Sequence, residues 1–284
     1  MKKRRSIVEI QAKQARKRQR GRRLLILSIM FIGVIFSTVA VLAVLNWQDT
    51  NAVTASQLET INENATLRET NINSALVEQE KEPKEDNVYW SLTKMNLLDV
   101  NLNRLRSINK ETVGWIQLAG TKISYPYVQH SDNEYYLKHS FDGSRNSAGW
   151  IFLDSHNKTD LSNKNNILYA YSRLDNNMFG DLRGILDSGW LSNREHFVVR
   201  TATEGQNGIW QVFSIYHIEK EITDYLKNNF SSDSEYKQFL TKITRRSLYN
   251  FSSSPSTKDY ILTLITSYND IENMVLHAKL IKYN

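Results

Sequence analysis

The 284 residues contain no cysteine. That absence excludes disulfides, a thiolate nucleophile and any cysteine-ligated metal. A glycine-rich phosphate loop, a His-Glu-x-x-His pair and a Gly-x-Ser-x-Gly elbow are also missing, so no signature of nucleotide, zinc or hydrolase chemistry stands out. No internal repeat is visible, and nothing predicts a cofactor or a metal site. Two further absences concern charge. Residues 1–23 carry eleven Lys/Arg and a single acid, Glu9, and the next 22 residues, Leu24 to Leu45, carry no charge at all.

The formal charge of +6 is therefore misplaced as a guide to partners. From Leu24 onward the chain has 25 bases and 29 acids, a net of −4, so a nucleic-acid partner is not expected. The uncharged run is rich in Leu, Ile, Val and Phe. At about 1.5 Å per residue it is long enough for a hydrocarbon layer of about 30 Å. It exceeds the ~7–15 residues of a cleavable signal, and no small-x-small site follows, which favours a retained anchor. The basic residues before it and the acidic stretch after it predict a cytoplasmic N-terminus and an extracellular remainder, with Trp47 at the outer interface. The expected layout is a basic tail over 1–23, a transmembrane helix over 24–46, a stalk over 47–88 and a globular domain over 89–284. Between Gln48 and Val88 there are nine acids, three bases and no glycine, with only a broken helical period. A coiled coil is the sharper alternative for this stalk, but no heptad is sustained.

Beyond Tyr89 the pattern changes. Leu98, Leu102 and Leu105 share a helical face that ends at Asn109. Strands are expected at 113–118, 123–128, 150–153, 167–171, 197–201 and 209–218, the first two joined at Gly120-Thr121. Helices are expected at 178–186 and from Ser232, where Glu235 completes a capping box and Tyr236, Phe239, Leu240 and Ile243 face inward. Two apolar β-branched runs, Tyr260–Thr266 and Met274–Lys282, close the chain. The fold class that follows is mainly β: a small closed barrel of about eight strands with helical decorations.

The last two runs present Ser267 at the end of one strand and Asn273 at the start of the next, a rigid place to hold a reactive pair. Here the chain resembles a known family. Ordered short matches cover about residues 95–284: Asn109-Lys-Glu-Thr-Val-Gly-Trp-Ile, Gly120-Thr-Lys-Ile-Ser-Tyr-Pro, Asp132-Asn-Glu-Tyr-Tyr-Leu137, Phe141-Asp-Gly143, Gly149-Trp-Ile-Phe152, Met178-Phe-Gly-Asp-Leu182, Arg246-Ser-Leu-Tyr249 and His277-Ala-Lys-Leu280. Together they resemble the class B sortases of Gram-positive bacteria. Those are membrane-anchored cysteine transpeptidases that cleave a sorting signal and transfer its acyl group to a cell-wall or pilin amine.

What the resemblance implies about chemistry is unusual. The family uses a thiolate nucleophile, a histidine acid/base and an arginine that holds the substrate carbonyl and its oxyanion. The family's Thr-Leu-x-Thr-Cys run reads Thr263-Leu-Ile-Thr-Ser267 here, so Ser267 stands in the place of the cysteine. The Tyr-Gly-His pattern reads Tyr169-Ala170-Tyr171, which puts Tyr171 in the place of the histidine. Alignment of the last strand puts Asn273 in the place of the arginine, after a loop, Tyr268 to Glu272, that is shorter than usual. By resemblance, Asn133, Leu137, Ile265 and Thr266 are expected beside a substrate groove.

A phenol with a reference pKa near 10 is about 0.1% ionised at neutral pH, and an amide does not titrate, so neither replaces the missing base. Loss of the central residues of a comparable triad costs on the order of 10⁶ in turnover. His130, His139 and His156 lie in loops that could rim a groove, but ordinary polar loop residues are the simpler reading, and His277 sits in a strand. The expectation is a catalytically inactive sortase-like protein that binds a sorting-signal peptide or pilin, or scaffolds an active sortase in the same membrane. The alternative is a residually active serine acyl-transferase or hydrolase built on Ser267.

Overall fold

A computed structural model of the chain describes residues 7–70, 75–76, 88–173 and 175–284. It divides into two compact units, Met1–Val53 and Thr54–Asn284. In the first, helix α1 begins at Ile7 and runs to Ala65. Its apolar side chains from Leu24 to Leu45 are exposed throughout. By length and composition the helix can cross a membrane.

The second unit opens with the last turns of α1, where Ile61 and Ala65 are buried in its core. Helix therefore occupies the first part of the stretch expected to be a stalk, and the compact unit begins at Thr54 rather than near Tyr89. Residues 71–74 and 77–87 of that stretch lie outside the described residues, as do residues 1–6 of the basic tail. Short strands β1 (Arg68–Thr70), β2 (Ala75–Leu76) and β3 (Leu97–Asp99), with helices α2 (Val88–Thr93) and α3 (Leu102–Ile108), lead into the barrel. Asn101 caps α3 by accepting from the Arg104 amide at 3.2 Å, and Asn109 leaves it in extended conformation, where the apolar period breaks.

The barrel strands are β4 (Thr112–Leu118), β5 (Ser124–Val128), β6 (Phe152–Leu153), β7 (Asn165–Tyr169), β8 (Val198–Thr203), β9 (Asn207–Glu219), β10 (Ile261–Ser267) and β11 (Glu272–Tyr283). Their order is β10-β7-β6-β5-β4-β8-β9-β11, and the β10–β11 pairing closes the ring at eight strands. Strand β2 adds to the outer side of β11. Pairings within the ring are antiparallel except β5–β6 and β7–β10, which are parallel. Closure leaves the barrel no free edge.

Gly120 turns β4 into β5 with φ +70, and a Cβ there would stand 2.6 Å from the His196 ring. Helix α4 (Ser188–Leu191) is one short turn between β7 and β8. The helix expected at 178–186 is instead a five-residue 3-10 turn, Gly180–Gly184. Asn176 and Met178 just before it have positive φ, so the chain enters in a conformation that no α-helix can extend.

Strand β10 reads as a continuous apolar run because both of its faces are covered. Leu262 and Leu264 point into the barrel core, and Ile261 and Ile265 belong to a second cluster on the outside. Helix α5 (Asp233–Arg245) covers that outer face with Tyr236, Phe239, Leu240 and Ile243. Each such side chain contributes on the order of 1.5–3 kcal/mol by leaving water. Ser232 caps α5 by accepting from the Glu235 amide at 3.2 Å. The Glu235 carboxylate reaches back one residue further than a standard capping box, accepting from the Ser231 amide at 2.8 Å and pairing with Lys227.

Candidate functional site

The three positions flagged in the sequence meet at one end of β7, β10 and β11. Ser267 is the last residue of β10, and its direct partner across β11 is Asn273. The parallel register places Tyr169 of β7 beside Ile265 of β10, and the Ala170 amide continues the ladder by donating to the Ile265 carbonyl at 3.2 Å. Tyr171 thus leaves β7 two residues past Tyr169, level with Ser267 two residues past Ile265. Alternation puts Ile265, Ser267 and Asn273 on the outer face that α5 and the chain around Tyr225 overlie.

The side chains at these positions are not poised alike. Ser267 is half-buried, and its hydroxyl makes no hydrogen bond to any described residue. Asn273 is also half-buried, and its amide nitrogen donates to the Tyr225 hydroxyl at 3.1 Å. Tyr225 is fully buried, and burial pushes its phenol above the usual tyrosine range, so it accepts from Asn273 as a neutral group. Tyr171 is 36% exposed. Its carbonyl accepts from the Phe179 amide at 3.2 Å, and Arg183 holds the next two carbonyls, Ser172 at 3.2 Å and Arg173 at 2.8 Å. Its ring lies against Gly149, whose φ is +62; a Cβ there would stand 2.7 Å from the Tyr136 carbonyl and 3.2 Å from the Tyr171 ring. This glycine lets the segment preceding β6 pass under Tyr171.

No base or cation is supplied to Ser267 among the described residues. The histidines and Arg246 could have provided one, and none is hydrogen-bonded to Ser267; His217 stacks on Tyr268 at 3.7 Å, its Nε2 without a partner among the described residues. His277 is buried on β11, with Nδ1 2.8 Å from Thr263 Oγ1 and Nε2 2.8 Å from the Tyr216 hydroxyl. Thr263 donates onward to Asn165 Oδ1 at 2.6 Å, so the row is satisfied by a neutral imidazole protonated at Nδ1. Burial, with a smaller push from Arg246, lowers the His277 pKa to about 3. His130 pairs with Glu111 at 2.7 Å and stacks on Tyr135, which stacks in turn on His139. His156 is largely exposed beside Asp154 at 3.1 Å. Arg246 makes a two-pronged contact with Asp224, at 2.7 and 2.9 Å.

The remaining expected groove residues lie on two segments, Asn133 and Leu137 around the 3-10 turn Tyr135–Leu137 and Ile265 and Thr266 at the end of β10. Asn133 donates to Asp154 Oδ2 at 2.9 Å and accepts from the Ser155 amide at 2.8 Å, while the Tyr169 hydroxyl donates to the same carboxylate at 3.0 Å. Both ends of Asn133 thus fasten the segment before the 3-10 turn Tyr135–Leu137 to the loop after β6. Leu137 is half-buried against the barrel core. Ile265 is buried on the outer face under α5, and Thr266 turns inward, fully buried, with its hydroxyl unpaired among the described residues. Sequence reasoning missed Tyr225, which occupies the amide of Asn273. It lies in an irregular segment after β9 with no motif around it, and only tertiary packing identifies its partner.

No protein-family model matches the chain. Sortase B of Listeria monocytogenes is 33% identical over 184 residues, covering 63% of this chain and 74% of that protein. A Staphylococcus aureus sortase B–substrate complex is similar with a TM-score of 0.59 and 34% identity, covering 63% of this chain and 84% of that one. Sortase B from Bacillus anthracis is similar with a TM-score of 0.64 and 31% identity, covering 83% of this chain and 97% of that one. The closed eight-strand barrel, the strand ends that gather Ser267, Asn273 and Tyr171, and these two lines of similarity agree: the chain belongs to the class B sortase family.

Proposed function

We propose that this protein is a membrane-anchored, catalytically inactive class B sortase that binds a sorting-signal peptide or pilin, or scaffolds an active sortase, in cell-surface protein attachment. The observation that carries the proposal is the state of the Ser267–Asn273 pair. A serine needs a base to become a nucleophile, and Ser267 has none in hydrogen-bond reach. An oxyanion needs donors aimed at it, and the Asn273 amide is turned to Tyr225.

Binding is supported from a different side. One structural relative is a sortase B held with its substrate, and the strands that carry Ser267 and Asn273 are kept in this chain. The apolar run Leu24 to Leu45 of α1, preceded by eleven bases, serves as the anchor with the N-terminus cytoplasmic and the barrel extracellular. On this reading residues 1–23 form the tail, 24–46 the span and the compact unit from Thr54 onward the extracellular barrel domain.

The test is incubation of the full chain in nanodiscs with sorting-signal peptides and an amine acceptor, with Ser267→Ala as the control. Saturable peptide binding without turnover is expected, equal in the two proteins. Turnover that disappears in Ser267→Ala would instead establish the serine acyl-transferase or hydrolase.

A further inference from the structure

Three of the large apolar side chains exposed outside α1 lie together on two turns tied to each other: Ile222 (38% exposed), Tyr268 (38%) and Ile271 (67%). The Lys220 amide donates to the Ile271 carbonyl at 3.0 Å, its Nζ donates to the Asp270 carbonyl at 3.0 Å, and the Tyr268 ring stacks on His217 of β9 at 3.7 Å. The turn after β9 and the β10–β11 hairpin tip therefore form one surface. Four carboxylates surround it, Glu219, Glu221, Asp270 and Glu272, with Lys220 the one base among them.

The charges on this surface are arranged against their own stability. Glu219 and Glu272 are direct partners across β9 and β11. Like charges in that position destabilise a sheet. Among the described residues no cation pairs with any of the four acids; the Glu272 carboxylate accepts only from the Asn269 side-chain amide, at 2.7 Å, and Lys220 is turned to a carbonyl. Exposed isoleucines at a hairpin tip gain nothing for the fold either. A single partner carrying both apolar and cationic groups would relieve both unfavourable features.

The geometry points to a protein-docking surface on the β9 turn and β10–β11 hairpin tip, fitted to a partner segment that combines apolar side chains with lysine or arginine. The apolar side chains would cover Ile271, Ile222 and Tyr268, and the cations would sit between Glu219 and Glu272. This surface adjoins the candidate site, since Tyr268 follows Ser267 and Glu272 precedes Asn273, but its docking role does not depend on whether that serine reacts.

The test uses the full chain in nanodiscs of zwitterionic lipid and three labelled short peptides of alternating leucine with lysine, with glutamate or with serine, followed by fluorescence anisotropy. Saturable binding of the leucine–lysine peptide alone is expected. Ile271→Ser should weaken it by about tenfold or more, and so should Glu219→Gln combined with Glu272→Gln. The paired glutamine variant should also melt at a higher temperature than the parent, since a repulsion is removed, which shows that lost binding is not lost folding. Equal binding of the leucine–serine peptide, no binding of any peptide, or wild-type binding by the variants would each overturn the proposal. The sorting-signal assay with Ser267→Ala reads the active-site proposal independently, so either can fail alone.

Discussion

Ser267 and Asn273 face each other across the β10–β11 pair, one with an unengaged hydroxyl and the other with its amide bound to Tyr225 at 3.1 Å. The register sets the two side chains opposite each other, and on the proposed reading neither is equipped for chemistry. That reading makes activity separable from scaffold, and the separation can be measured.

Restoring one member should not restore the reaction. Ser267→Cys alone should leave transpeptidation at background, because neither Tyr171 nor Asn273 supplies an acid/base or a cation. Ser267→Cys with Tyr171→His and Asn273→Arg should raise turnover by orders of magnitude over any single change, since residues that act as a unit are strongly non-additive and one oxyanion donor alone is worth about 10²–10³. Steady-state cleavage of a sorting-signal peptide checks this. A triple variant that folds, binds peptide and stays silent would show that the surroundings of the site have also diverged.

The Tyr225 bond carries its own expectation. Tyr225→Phe removes the acceptor of the half-buried Asn273 amide while keeping the ring that packs with Tyr216 at 6.5 Å. A lost buried partner costs about 1–3 kcal/mol, and partial exposure of Asn273 puts the loss at the low end, near 1 kcal/mol. Urea unfolding should show that shift in midpoint with an unchanged slope. No shift would mean that the bond contributes nothing to holding the segment before α5 in place.

The barrel was legible in the sequence for particular reasons. Alternation and β-branched runs identified the strands, Ser232 with Glu235 identified the start of α5, and Asn109 marked where α3 stops. The ordered motifs then aligned Ser267, Tyr171 and Asn273, and the register brought them to one strand end. What was not legible depends on contacts between distant segments. The β7–β10 neighbours join residues 165–169 to 261–265 in parallel, which no local pattern specifies. The short 3-10 turn at 180–184 follows from positive φ at Asn176 and Met178, of which only the asparagine is a residue type that favours it. Tyr225 and the opposed Glu219–Glu272 pair likewise exist only once β9, β10 and β11 are assembled.

Topology is directly accessible because the chain has no cysteine. Gln11→Cys and Leu248→Cys introduce a unique thiol at exposed positions, one before the apolar segment of α1 and one on the barrel unit. A membrane-impermeant maleimide added to intact cells should label the Leu248→Cys protein and spare the Gln11→Cys protein until the cells are lysed. The reverse pattern would invert the orientation that the basic tail dictates.

His277 gives the barrel unit an acid sensitivity whose sign is fixed by its burial. Its folded pKa lies at about 3, below the ordinary histidine value of about 6.5 in an unfolded chain. Between those values the unfolded state binds the proton and the folded state does not, so stability is complete above about pH 6.5 and falls as the pH drops toward 3. The slope is about 1.4 kcal/mol per pH unit within that window. His277→Gln removes the titration while keeping one donor and one acceptor near Thr263 Oγ1 and the Tyr216 hydroxyl, at a cost of about 1–3 kcal/mol near neutral pH. Carboxylates add their own acid dependence to both proteins, so the difference between the two stability profiles isolates the histidine. Urea midpoints measured from pH 7 down to pH 4 should converge as the pH falls, because only the parent has a buried imidazole to protonate. Parallel profiles would mean that the His277 pKa is the same in the folded and unfolded states, and the neutral row Asn165–Thr263–His277–Tyr216 would have to be reassigned.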